Sequence, residues 1–222
     1  KVAFSPHGEY ALTASQDKTA RLWDVATGTE LRHYNGHTNY VVAVAFSPDG
    51  VMLATAGRDR QTQLWNVQSS TILPVFTGHT NDIHWAVFSP DGHYILTGSL
   101  DGTARIWDTH SRRPVQVLRG HTNAIHTVAF APDGHAVFTC SFDKTARMWD
   151  VQTGKEIRRF GNHTGAVYGI AVSNDGQYVA TSGDNADPTV RLWDVQTGKA
   201  IYVLTGHTAT VQRHPAHDVV QF

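Results

Sequence analysis

Short apolar runs separated by polar turns follow one another along the whole chain. Within residues 79–120, an apolar run ending at Phe88 leads into the turn Pro90-Asp91-Gly92, and the runs HYILTGS, TARIWD and PVQVLRG follow. β-Branched and aromatic residues, which favour extended structure, fill the runs, whereas Asp, Gly and Pro separate them. The pattern predicts four short antiparallel strands, here called a, b, c and d in chain order, and no helix longer than a turn.

This pattern recurs five times. The third run of each copy ends near a tryptophan, and these are Trp23, Trp65, Trp107, Trp149 and Trp193, spaced 42, 42, 42 and 44 residues apart. Loop histidines keep the same period, and these are His37, His79, His121, His163 and His207. A turn of the type SPDG between strands a and b is a third marker. Because the three markers agree, the chain is read as five copies of one unit.

A four-stranded sheet of this size cannot bury both of its faces alone, so neighbouring units must stack on it. Radial stacking of such sheets gives a β-propeller, in which each blade covers the next. The repeat from Gly–His to Trp–Asp resembles the WD-repeat β-propeller family over nearly the whole chain. The predicted fold is all-β, with a propeller at 1–213 and an off-pattern tail at 214–222. Its five four-stranded antiparallel blades are expected at about 1–36, 37–78, 79–120, 121–162 and 163–206.

The ring is expected to be incomplete and open. The resemblance implies seven blades in most members, and Pro215 stands where a residue of strand a would be expected. Two alternatives remain at this point. Five blades could close so that His207 meets Asp17, or a second chain could complete the ring.

The resemblance also implies a buried, hydrogen-bonded tetrad in each complete unit. Antiparallel order puts the d–a loop, with its histidine, and the b–c turn, with its aspartate, at the same end of a blade. Threonine is expected to supply the hydroxyl group of the tetrad. The alternative is a serine, but the second unit has Gly57 at the serine position. The implied tetrads are His37, Asp59, Thr55 and Trp65; His79, Asp101, Thr97 and Trp107; His121, Asp143, Thr139 and Trp149; and His163, Asp187, Thr181 and Trp193. Asp184 is the rival of Asp187, because the last unit carries two extra residues.

Repeated Thr, His and Asp residues could suggest nucleophilic catalysis. A catalytic site is a single constellation, however, whereas these residues follow the structural period of the chain. We therefore predict a structural role for the tetrads and no enzymatic activity.

Candidate partner-binding residues lie at the end of the blades that carries the histidines, called here the histidine end. They are Arg58, Arg60, Leu100 and Phe142 in the b–c turns, and Tyr40 and Asp82 at the start of strand a. Aromatic side chains and arginine are favoured at protein interfaces. The alternative is that the two apolar side chains fold back onto adjacent blades.

Charge and composition narrow the class of protein further. The 18 basic and 19 acidic residues give a net charge of −1, which is not typical of a protein that binds nucleic acid or an anionic membrane. A single cysteine, Cys140, excludes an internal disulfide and favours a reducing, cytoplasmic setting. His84 and His126 could bind a metal, but their positions in adjacent units supply only two ligands. No metal or cofactor is therefore predicted.

The predicted function is that of a non-catalytic scaffold that binds protein or peptide partners through its loop faces. The alternative is a sensor or docking segment of a larger signalling protein, such as a kinase or a nucleotide-hydrolysing switch. Either function would come from sites grafted on the fold rather than from the fold itself.

Overall fold

A computed structural model describes residues 1–73 and 75–211. In this part of the chain, 20 strands form five four-stranded antiparallel sheets, and no helix is present. The strands are β1 Val2–Phe4, β2 Tyr10–Ala14, β3 Thr19–Asp24, β4 Glu30–Asn35, β5 Val41–Phe46, β6 Met52–Gly57, β7 Gln61–Asn66, β8 Phe76–Thr77, β9 Ile83–Phe88, β10 Tyr94–Ser99, β11 Ala104–Asp108, β12 Pro114–Leu118, β13 Ile125–Phe130, β14 Ala136–Ser141, β15 Ala146–Asp150, β16 Glu156–Phe160, β17 Val167–Val172, β18 Tyr178–Gly183, β19 Val190–Asp194 and β20 Ala200–Leu204.

Each sheet pairs its strands in chain order, and the sheets are called blades 1 to 5. The predicted all-β fold of five four-stranded antiparallel blades is thereby confirmed. The tail at 214–222 lies outside the described residues. The proposed blade boundaries remain a prediction.

Strand a of blades 2 to 5 carries a bulge near its start. In blade 4 the register shifts between Ile125 and Thr127, so His126 has no opposite residue on strand b. The equivalent bulged residues of the other three blades are Val42, His84 and Tyr168. A bulge re-aims a side chain that would otherwise alternate along the strand. At three of these positions the bulge holds an aromatic ring at the histidine end.

Neighbouring blades share their hydrophobic cores. Phe160 of blade 4 packs on Trp193 of blade 5 with ring centroids 5.7 Å apart, and Tyr34 and Phe76 each lie 5.3 Å from the tryptophan of the following blade. These contacts join the last strand of one blade to the third strand of the next. Burying one tryptophan contributes at most about 4–6 kcal/mol of transfer free energy. Each of these ring contacts therefore holds one blade against the next.

The described blades form an open arc, as predicted. Phe160 at the end of β16 is 0% exposed, whereas Leu204 at the equivalent place in β20 is 54% exposed. At the other end of the arc, Trp23 is only half-buried, although the strand-c tryptophans of the four later blades are buried. The arc therefore presents one uncovered sheet face at each end.

Candidate functional site

The tetrad of blade 4 forms a continuous chain of hydrogen bonds. The Trp149 Nε1–H donates to Thr139 Oγ1 over 2.9 Å, and Thr139 Oγ1 lies 2.7 Å from His121 Nε2. On the other side of the imidazole, His121 Nδ1 lies 2.7 Å from Asp143 Oδ2. The chain links strands b and c to the preceding d–a loop and the b–c turn. Four segments are thus joined at one buried point.

The same contacts occur in three further blades. The histidine-to-aspartate distances are 2.7 Å for His37 and Asp59, 2.8 Å for His79 and Asp101, and 2.9 Å for His163 and Asp187. The hydroxyls that bridge histidine and tryptophan in these blades belong to Thr55, Thr97 and Thr181. In blade 5 the two extra residues do not disturb the arrangement. Asp184 accepts instead from the backbone N–H groups of Ala186 and Asp187.

Protonation states follow from the surroundings of each group. Burial lowers the pKa of His121, and the hydrogen bond to Asp143 opposes this only in part. Burial would raise the pKa of Asp143, but the hydrogen bonds from His121 and Thr145 and the other nearby groups together hold it well below its usual range. The imidazole is therefore neutral. Its Nδ1–H donates to the carboxylate, and its Nε2 accepts the Thr139 hydroxyl proton.

This arrangement differs from a catalytic site in one respect that decides its chemistry. A threonine hydroxyl bonded to a His–Asp pair has the order of a nucleophile triad. Thr139, however, has no exposed surface and already accepts the indole N–H of Trp149. A substrate cannot reach the oxygen without disrupting the blade, so the geometry favours a structural network.

Three of the candidate partner-binding residues form a cluster between blades 2 and 3. The exposed Arg58 guanidinium lies over the Tyr40 ring, 5.3 Å from its centroid. Arg58 Nε also lies 3.6 Å from Asp82 Oδ2. Arg60 is exposed on the same turn and forms no ion pair with any described residue. Together these groups present two cations, one carboxylate and a phenol ring to solvent.

Leu100 and Phe142 are both half-buried. Phe142 packs against the rings of His126 and Tyr168, at centroid distances of 5.7 and 4.9 Å. The ring therefore packs partly onto the next blade, and its role in partner binding stays a prediction. Sequence reasoning did not assign His126 and Tyr168 to this surface, although the period places both at the start of strand a.

The two histidines weighed as metal ligands lie side by side. The rings of His84 and His126 are 5.9 Å apart, and His126 Nδ1 is 2.8 Å from the Tyr168 carbonyl oxygen. Across the described ranges, no group of three or more His, Cys, Asp or Glu residues is placed to hold a metal ion. The same residues contain no helix that is long and apolar enough to cross a membrane.

The repeat matches a known family. The family model for the WD domain, G-beta repeat, matches residues 1–24, 28–66, 70–108, 112–150 and 154–194, which is more than half of the chain. This chain belongs to the WD-repeat family. Each matched segment after the first begins before strand d of one blade and ends with the last residue of strand c of the next. The sequence repeat of this WD-repeat protein is therefore offset by one strand from its sheets.

Curated relatives match this WD-repeat chain over about one repeat. Dynein assembly factor with WD repeat domains 1 from Danio rerio is 44% identical over 43 residues, 19% of this chain and 10% of that protein. Nuclear distribution protein PAC1-2 from Postia placenta is 44% identical over 41 residues, 18% and 10% of the two chains. Probable serine/threonine-protein kinase PkwA from Thermomonospora curvata is 50% identical over 42 residues, 19% and 6%. The match thus covers a tenth or less of each relative.

Proposed function

We propose that this WD-repeat arc is a non-catalytic scaffold that binds a protein or peptide partner at its histidine end. The observation that carries the proposal is the row of side chains along that end, from Arg58, Tyr40 and Asp82 to Phe142. Arginine and aromatic rings are enriched among the residues that dominate protein–protein binding energy. The tetrads support the surface because they fix the loops and turns from which it is built.

Rigidity is the physical reason why such a surface suits recognition. Each tetrad ties a d–a loop to a b–c turn, so neighbouring contact groups are held before a partner arrives. A preorganised surface loses less conformational freedom on binding than a mobile one. The similarity to a dynein assembly factor and to a nuclear distribution protein is in keeping with this role.

Affinity capture with the full chain tests the proposal. The variant Arg58→Glu, Arg60→Glu reverses two exposed cations at the histidine end. The matched control Arg112→Glu, Arg113→Glu reverses two exposed cations in the c–d turn of blade 3, at the opposite end. We expect the first variant to recover a partner about tenfold less well and the control to match the unmodified chain. Equal recovery by both variants would contradict the proposed surface.

A second candidate function is that of a docking segment in a larger signalling protein. The similarity to a probable serine/threonine-protein kinase favours it, although the match spans a single repeat. Sequencing the coding region on both sides of this chain decides the matter. A kinase or nucleotide-hydrolysing domain in the same reading frame would support the second function, and its absence there would remove it.

A further inference from the structure

Four of the five blades carry an arginine on strand c, two residues before the tryptophan. These are Arg21, Arg105, Arg147 and Arg191, and blade 2 has Gln63 instead. In blades 1 and 4 the arginine bonds a glutamate of strand d in the same sheet. Arg21 Nη1 lies 2.7 Å from Glu30 Oε2, and Arg147 Nη1 lies 2.7 Å from Glu156 Oε2.

Arg105 of blade 3 has no such acid. The register pairs Trp149 with Glu156 in blade 4 but Trp107 with Pro114 in blade 3. Arg105 makes no ion pair with any residue that the structure describes, and its buried Nε has no hydrogen-bond acceptor there. Arg191 of blade 5 also lacks the glutamate but lies 3.4 Å from Asp187. Among the strand-c arginines of the described residues, Arg105 is thus the one with no carboxylate within ion-pair distance, and the Asp101 carboxylate acts on it only from farther away.

A second cation lies close to Arg105. Extending the pairing of Arg105 with Val117 by two residues places Arg119 beside Thr103, on the same face of the sheet. Burial lowers the pKa of Arg105, and the charge of the exposed Arg119 adds to this, whereas the Asp101 carboxylate acts in the opposite direction. The other blades have the uncharged residues Asn35, Thr77, Gly161 and Thr205 at the position of Arg119, two residues before the loop histidine.

The place where an acid would sit is defined by the other blades. In blade 4 the Glu156 carboxylate lies beside Gly120, since a Cβ atom on that glycine would be 3.6 Å from Glu156 Oε2. The equivalent glycine in blade 3 is Gly78, which is exposed and lies against Arg105 Nη1. The corresponding place beside Arg105 is therefore bordered by an exposed glycine, and no described acid occupies it.

We propose that Arg105 and Arg119 form a receptor for a glutamate or aspartate side chain of a protein partner. The partner carboxylate takes the position that Glu156 holds in blade 4 and Glu30 holds in blade 1. Guanidinium groups bind carboxylates through paired, charge-assisted hydrogen bonds. Binding would also give this partly desolvated cation a carboxylate at ion-pair distance, which Asp101 of its own sheet does not provide. This contact shares no residue with the cluster of Arg58, Tyr40 and Asp82 and does not rest on that cluster.

The test uses the ¹⁵N-labelled full chain and a capped acidic peptide, Ac-Ala-Glu-Glu-Glu-Ala-NH₂. The measured signals are the Nε–H of Arg105 and the indole N–H of Trp107, whose ring lies 5.8 Å from the guanidinium. We expect a saturable shift of both signals, with weak binding at about millimolar concentration for so short a peptide. The same peptide with glutamine in place of glutamate should leave them unchanged. Absence of a saturable shift would overturn the proposal.

Two variants and one control locate the binding. Arg105→Gln copies the residue that blade 2 carries naturally, and Pro114→Glu installs the acid of blades 1 and 4. We expect each variant to weaken peptide binding, followed by the shift of the Trp107 indole signal, at least tenfold. The first variant removes the cation, and in the second the new glutamate pairs with Arg105 in place of the peptide. The control Arg113→Gln should bind as the unmodified chain does. If Arg105→Gln retained the full response, the assignment would be wrong.

A phosphoserine peptide separates a carboxylate receptor from a phosphate receptor. Ac-Ala-pSer-Ala-NH₂ should bind no more tightly than the acidic peptide. Binding at least tenfold tighter, with the same loss in Arg105→Gln, would replace the proposed carboxylate by a phosphate.

Discussion

Blade 4 and blade 1 carry the same threonine, aspartate and tryptophan at the tetrad positions, yet the two blades are buried differently. The Asp143 side chain of blade 4 is 4% exposed, whereas the equivalent Asp17 side chain of blade 1 is 50% exposed. Val151, just after strand c of blade 4, is 4% exposed, and its counterpart Val25 is 47% exposed. The residues are the same, but their surroundings are not.

The difference comes from the preceding blade. Blade 3 covers the Trp149 face of blade 4 with Leu118 and supplies His121 through its d–a loop. In blade 1 the Trp23 indole still donates to Thr13 Oγ1 over 2.9 Å, but none of the histidines that the structure describes joins the hydroxyl to Asp17. The comparison shows that strands b and c form half of each network. Burial and the histidine come from outside the sheet.

The largest expected difference between the two blades concerns the tryptophans. Trp149→Ala should lower the free energy of unfolding by about 3–5 kcal/mol, because it leaves a cavity between two blades. Trp23→Ala should cost roughly 1–2 kcal/mol, because that indole is only half-buried. Urea unfolding followed by circular dichroism measures both. Equal losses in the two variants would contradict the role assigned to the covering blade.

Acid should weaken blade 4 before blade 1. Burial lowers the pKa of His121 below the value of about 6.5 in the unfolded chain, so the unfolded state takes up the proton first. Stability is therefore complete above pH 6.5 and is lost as the pH falls below it. Each such group contributes at most about 1.4 kcal/mol per pH unit. The Asp143 carboxylate, whose pKa is also lowered, adds a further loss only below about pH 4.

Amide hydrogen exchange at pH 7.0 and pH 5.5, corrected for intrinsic rates, resolves this effect blade by blade. Protection in β14 and β15 should fall more than protection in β2 and β3, because none of the described histidines bonds the hydroxyl and the aspartate of blade 1. Unchanged protection of blade 4, or a uniform decrease across both blades, would show that His121 is not neutral and buried as described.

Replacing the b–c turn aspartate with alanine should give a smaller difference in stability loss between blade 4 and blade 1. Asp143→Ala leaves the buried His121 Nδ1–H and the backbone N–H of Thr122 without their acceptor, at a cost of about 2–3 kcal/mol. Asp17→Ala should leave the urea midpoint nearly unchanged, because its contacts with Thr19 are local and exposed. A comparable loss in Asp17→Ala would mean that the turn itself, rather than the histidine contact, carries the stability.

The sequence predicted the sheets well, because their determinants are local and repeated. Alternating apolar runs and Asp–Gly turns fix four strands per unit, and five tryptophans on one period fix the number of units. The tetrad members also lie at fixed spacings, so geometry alone brings His121 towards Asp143.

Contacts that depend on one bulge, or on one residue of an adjacent strand, could not be predicted from the repeated pattern. The bulge at His126 turns the ring onto Phe142 and Tyr168, and no spacing signals that rotation. Arg105 lacks an acid on strand d because position 114 of the adjacent strand is a proline. The effect of this proline is visible only by comparison with blade 4, where Arg147 forms an ion pair with Glu156.

The smallest difference concerns the glycine of the Gly–His loop. A Cβ atom at Gly120 would lie 2.6 Å from Arg147 Nη1 and 3.1 Å from the Trp149 ring, whereas at Gly206 it would meet nothing within 4 Å. Both glycines have positive φ angles, 157° and 139°, so the backbone strain of an alanine largely cancels between them. Gly120→Ala should therefore be about 1–2 kcal/mol more destabilising than Gly206→Ala in urea unfolding. Equal losses of unfolding free energy in the two variants would mean that only the backbone conformation requires glycine here. A larger loss for Gly120→Ala would mean that glycine is required because the arginine and indole of the next blade pass close to it. The same packing of one blade on the next distinguishes blade 4 from blade 1.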